Sequence, residues 1–164
     1  MSISAAAVRE LLLYTLWADR TMLSAIRAVP PEHLTREAGV SFGSLLGTMV
    51  HMLGSQKVWL ARFAGQTLER RPGLEDFPDL LSWIHAWEEM AAGIEAFFAG
   101  LTDEHLADSI SWTSSQGEPR TAPLWQPVLH LVNHSTYHRG QVISLLRQLG
   151  HRPPATDLID YFLR

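Results

Sequence analysis

The run Leu129-His130-Leu131-Val132-Asn133-His134-Ser135-Thr136-Tyr137-His138-Arg139-Gly140-Gln141 lies in a segment with no proline from Val128 to Leu149. Pro123 and Pro127 fall near its start, and Gly150 with Pro153-Pro154 closes it, so the segment is expected to be one long helix, the last of four. Residues four apart on a helix are rotated by about 40° and displaced by about 6 Å. His134 and His138 therefore project from neighbouring points of one face, with His130 one turn earlier on the same stripe.

Upstream, apolar residues recur at helical spacing in three further segments. Val8, Leu11, Leu12, Leu16, Leu23 and Ile26 predict a helix over Ala5 to Val29, ended by Pro30-Pro31. Leu45, Met49, Met52, Trp59 and Phe63 predict a second, capped by Ser41 and ended by Gly65. Leu81, Ile84, Trp87, Ile94, Phe97 and Phe98 predict a third, with Pro78 in its first turn and its end near Gly100. Thr102 to Leu106 suggests a short helical turn, and Ile110, Trp112 and the turn residues Ser114 to Gly117 suggest two short strands around a loop. The expected fold is all-α: a four-helix bundle with a long crossover, carrying a small hairpin, before the last helix. At 164 residues and 46% hydrophobic content, one domain over 1–164 is expected.

Charge and composition narrow the function classes. Thirteen basic and seventeen acidic residues give a net charge of −4 with no basic cluster, so a nucleic-acid partner is not expected. Two stretches carry no charge, Ala38 to Gln56 and Thr121 to His138, but their serines, glycines, prolines and histidines are costly in lipid, so a membrane is not expected either. Arg9 and Glu10 interrupt the apolar residues near the N-terminus, unlike a signal peptide, and a cytoplasmic location is the expectation.

With no cysteine, a transition metal must be held by imidazole or carboxylate. Either His130 or His138 can pair with His134, and His51, in a stretch otherwise free of charge, is the natural third ligand from another helix. Three imidazoles leave a coordination position open, as in catalytic and ligand-binding sites. A zincin would need Glu where Ser135 follows His134, and a ferritin-like di-iron centre would need Glu-x-x-His pairs, which do not occur. Mononuclear imidazole coordination suits zinc, nickel, copper or iron, with zinc or nickel the leading expectation. Gln141 shares the histidine face, and Gln141 and Trp59 are the candidates to contact a bound ligand, with Trp17 a further candidate for the pocket lining. Arg139 is expected to form an ion pair on the flank of the helix, and Gly140 to allow close approach by a neighbouring helix or subunit. His33, His85, His105 and His151 have no evident partner.

Together with Tyr14-Thr15-Leu16-Trp17-Ala18-Asp19, Thr48-Met49-Val50-His51-Met52-Leu53 and Gly150-His151-Arg152-Pro153-Pro154-Ala155-Thr156-Asp157, the histidine segment resembles the DinB/YfiT-like superfamily, whose pattern places a histidine on helix two and His-x-x-x-His-Arg-Gly-Gln on the last helix. These segments span nearly the whole chain in order. The resemblance implies His51, His134 and His138 as metal ligands, with His130 a neighbour. Asp19 departs from the pattern, since relatives often carry asparagine there. Several relatives look like metal-dependent transferases or isomerases that use a low-molecular-weight thiol such as mycothiol, bacillithiol or glutathione, whereas others are damage- or stress-induced proteins with no assigned reaction. The resemblance thus implies a thiol-dependent transferase acting on an electrophile, the alternative being a non-catalytic, stress-induced metal-binding protein. A homodimer is the expected assembly.

Overall fold

Val8, Leu12, Leu16, Leu23 and Ile26 are buried along α1 (Ala5–Ile26) in a computed structural model that describes residues 3–164. Ser4 caps this helix by accepting from the Ala7 amide. It stops three residues before Val29, because the amides of Ala28 and Val29 turn back onto the carbonyls of Ala25 and Ile26. Pro31 then opens a short helix the periodicity did not reveal, α2 (Pro31–Leu34).

The second long helix, α3 (Leu45–Phe63), is capped by Ser44, not by Ser41. Ser44 Oγ accepts from the Gly47 amide at 3.0 Å, while the segment before it is held as a turn by Gly43, whose φ is +73°. Gly47 is needed for a different reason: a Cβ there would stand 2.0 Å from the Phe42 carbonyl oxygen. The missing side chain lets the 39–43 loop lie against the first turn of α3.

α4 (Leu80–Ala99) is capped by Asp79, which accepts from the Ser82 amide at 2.8 Å, so Pro78 lies outside the helix rather than in its first turn. Thr102 caps α5 (Asp103–Ala107), as its position before two acids suggested. The hairpin follows: β1 (Ser109–Thr113) pairs antiparallel with β2 (Pro119–Pro123), with Trp112 opposite Arg120. α6 (Trp125–Gln148) carries Pro127 in its first turn, where a missing N–H costs nothing, whereas Pro123 ends the strand. A last short helix, α7 (Leu158–Phe162), was also not anticipated; it sits on α1, where Tyr161 donates to Glu10 at 2.7 Å.

The four long helices form the all-α bundle expected from the sequence. α1 and α3 each pack against both α4 and α6, and one apolar cluster runs through all four. The hairpin lies across α3 and α6. Among the described residues, no helix is long and apolar enough to cross a membrane.

Candidate metal centre

The packing of α3 on α6 sets His51 against His134 and His138. The Nε2 atoms of His51 and His138 are 3.2 Å apart, and those of His138 and His134 are 3.1 Å apart. Ligand nitrogens around a tetrahedral ion at about 2.0–2.1 Å stand about 3.3–3.4 Å from one another, so this spacing is close to that of an occupied site. The three donor atoms lie within 4.8 Å of one another, with His138 buried and the other two half-buried, and the group could hold a metal ion. His130 is outside it: its ring centroid is 5.6 Å from that of His134, on an exposed part of the same helix face.

The donor chemistry fits a cation. Gln141 Oε1 stands 2.7 Å from His138 Nδ1 and can only accept, so the proton of His138 sits on Nδ1. Its Nε2 is then a bare lone pair facing two other ring nitrogens. That lone pair can be fully matched by one N–H donor, not by two, whereas a cation at the shared point would satisfy all three rings at once. His134 lacks the same anchoring, because its Nδ1 is buried with no hydrogen-bond partner among the described residues.

Protonation also favours ligation. Burial, followed by the charge of His138 and then of Arg71, lowers His51 from 6.5 to about 4. Burial and then His138, with smaller effects of His51, His130 and Arg71, lower His134 from 6.5 to about 4. Both rings are neutral at pH 7, the state a metal ligand requires.

Residues that sequence reasoning missed complete the surroundings. Phe42, delivered by the 39–43 loop, stacks on the His51 ring at 3.9 Å between centroids and meets His138 edge-on at 5.5 Å. Nothing in local sequence pattern marks Phe42, because its place depends on the turn at Gly43 and the gap at Gly47. A groove of about 370 Å³ runs between that loop and α6, lined by Ser41, Phe42, Tyr137, Gly140 and Gln141 among others.

Arg139 forms its ion pair, but in the core rather than on the flank. It is 1% exposed, with Nη1 3.1 Å from Asp19 Oδ1 and Nη2 donating to Tyr14 Oη at 2.9 Å and Thr136 Oγ1 at 3.1 Å. Adjacent helical residues diverge by about 100°, so a residue next to His138 points away from α3, and here it points at α1. Gln56, on α3, donates to Asp19 Oδ2 at 3.0 Å and lies 3.3 Å from Ser135 Oγ. Burial pushes the Asp19 carboxyl up, and the Arg139 charge with the Gln56 amide opposes that rise. This network ties the residues beside His134 and His138 to α1 and α3.

A Cβ on Gly140 would meet nothing within 4 Å, so among the described residues no helix of this chain approaches it closely, and the residue borders the groove; this removes the neighbouring helix from the expectation and leaves the subunit. Two further expectations are corrected. Trp17 packs with Tyr14 and Tyr161 in a separate aromatic cluster, away from the histidines. His33 and His151 do have a partner, each other, with Nδ1 and Nε2 3.0 Å apart. Trp59 stands one ring away from the three-histidine group, edge-on to His130 at 5.3 Å.

Residues 1–163 match the model of the DinB family. The chain is 26% identical over 153 residues to Protein DinB of Bacillus subtilis (strain 168), covering 88% of this chain and 87% of that relative. Its fold is similar to the crystal structure of a DinB-like protein from Bacillus cereus ATCC 10987, with a TM-score of 0.65 and 20% identity over 94% of this chain and 99% of the other.

Proposed function

The chain belongs to the DinB family, and from that premise we propose that it is a cytoplasmic, metal-dependent transferase that joins a low-molecular-weight thiol to an electrophile. The observation that carries this reading is the convergence of the His51, His134 and His138 Nε2 atoms at 3.1–3.2 Å with no fourth protein donor in the group among the described residues. A divalent ion held by these three, which we propose to be zinc or nickel, would keep an open position and its full charge, and would supply the Lewis acidity that turns a thiol into a thiolate at neutral pH.

The chain's own residues do the rest. Gln141 fixes the His138 tautomer and ring plane, and such outer hydrogen bonds are part of ligand strength. Phe42 covers one face of His51 and limits water on that side. Tyr137, 64% exposed and edge-on to His138 at 5.0 Å, lines the groove, where it can contact an incoming acceptor. Trp59 and Gln141 are the residues proposed to contact the bound ligand.

A second reading is a stress-induced metal-binding protein without turnover. It is favoured by the absence of any carboxylate in the three-histidine group among the described residues, so no acid–base partner accompanies the imidazoles. One assay separates the two. Protein purified without an affinity tag and loaded with zinc or nickel is mixed with a cellular thiol and an electrophilic acceptor. The transferase reading expects acceptor loss with the loaded wild type and none with His51→Ala. Equal, slow loss with both proteins for every thiol overturns it.

A further inference from the structure

Beyond the three histidines, a cavity of about 280 Å³ opens between the end of α3, the loop that follows it and β1. Arg62 and Arg71 both line it, with Thr67, Ser111 and Trp112. The Arg62 guanidinium is already positioned: it lies over the Trp59 ring at 4.6 Å, and Nη2 donates to the Thr113 carbonyl at 2.8 Å. Arg71 is exposed and in no salt bridge among the described residues, unlike its neighbour Arg70, which pairs with Glu75 and Asp76. Glu69 is also on the cavity wall, but it is within ion-pair distance of neither Arg62 nor Arg71.

Arg62 and Arg71 therefore line one cavity with neither guanidinium in an ion pair among the described residues. Burial and the charge of Arg71 both push Arg62 below its ordinary value, a cost that an anion between the two guanidiniums would relieve. Arginine is suited to this task because its planar fork binds carboxylate and phosphate oxygens in pairs. A file of packed rings leads from the cavity wall to the histidines. Trp112 packs on Trp59 at 5.4 Å, Trp59 on His130 at 5.3 Å and His130 on His134 at 5.6 Å.

We propose that this cavity is an anion subsite, in which Arg62 and Arg71 receive the carboxylate or phosphate group of a small ligand whose other end extends across Trp112 and the exposed His130 toward His134. The service of this subsite in catalysis rests on the transferase reading; its capacity to bind an oxyanion does not. Substrates of the centre would then be anionic at the end away from the reacting atom. The uncharged groove at Phe42 and Tyr137 would serve the other reactant.

The test uses the indole N–H signals of Trp59 and Trp112 in the ¹⁵N-labelled chain, titrated separately with inorganic phosphate and with acetate at ionic strength held constant by chloride. Wild type and His51→Ala are both expected to show saturable shifts of these two signals, because the subsite does not need a metal. Arg71→Gln, at an exposed position in no ion pair, is expected to weaken binding at least tenfold, and Arg62→Lys less than Arg62→Gln. Tighter binding of phosphate than of acetate assigns a phosphate ligand, and the reverse assigns a carboxylate. Absence of saturation with both anions, or superimposable titrations of wild type and Arg71→Gln, overturns the proposal. Saturable binding in a protein without turnover leaves the subsite standing and removes only its catalytic role; turnover without anion binding does the opposite.

Discussion

His51 and His134 are held near 4 in the folded chain, against 6.5 for an ordinary imidazole, so the unfolded chain binds more protons between these values. A lowered imidazole leaves stability intact above about 6.5 and erodes it as the pH falls toward 4. Thermal scans of metal-free protein should show a midpoint that is flat near pH 7 and above and declines from pH 6.5 to 4, with a weaker decline in His51→Ala. A pH-independent midpoint would contradict the depressed values. Protons also compete with a metal for the same lone pairs, so metal should be lost over the same window on dialysis. Gln141 supplies a second test at this scale. Without its Oε1 the His138 Nδ1–H loses its acceptor, and Gln141→Ala should weaken metal binding by about 10–100-fold in competition with a chelator. His134 and His138 were legible because the spacing of four has one geometric meaning on a helix, and His51 because it stood alone in an uncharged stretch. Phe42 and Arg71 were not legible, since a loop and not a period brings each of them to its place.

Between elements, the Asp19–Arg139 pair, with side chains 3% and 2% exposed, joins α1 to α6 behind the histidines. Removing one partner of a buried pair leaves a bare charge inside, at a cost of about 3–5 kcal/mol. Asp19→Ala should therefore lower the unfolding free energy by about that amount in urea, more than the change for an exposed pair such as Arg20–Glu95, which is expected at about 0–1 kcal/mol. Equal effects at the two sites would show that the buried pair adds nothing specific. The four long helices could be read from apolar spacing, because each buries one stripe against its neighbours. Their ends were less legible. Ser41 and Ser44 are equally good caps in isolation, and the choice between them was made by Gly43 and by the approach of the Phe42 carbonyl to Gly47. α2 and α7 escaped notice because helices of four and five residues are too short to display a period. The hairpin was legible from Ile110, Trp112 and the turn residues between the strands.

For the molecule as a whole we propose a homodimer. The C-terminal end leaves Ile159, Phe162 and Leu163 at 60%, 53% and 78% exposure, and a shared apolar surface is one way to cover them. Light scattering at micromolar concentration should give twice 18.4 kDa, and Ile159→Glu should return the mass to that of one chain. A mass of 18.4 kDa for wild type across that range would remove the proposal. The same scale gives the histidine cluster a meaning apart from chemistry. His51 and His138 are 87 residues apart in the chain yet meet at one point. An ion gripped there would be a reversible staple across a very long loop, and the freedom denied to the unfolded chain grows with loop length. The loaded chain would then open less often than the metal-free chain, and the difference would appear as slower proteolysis of the loaded protein.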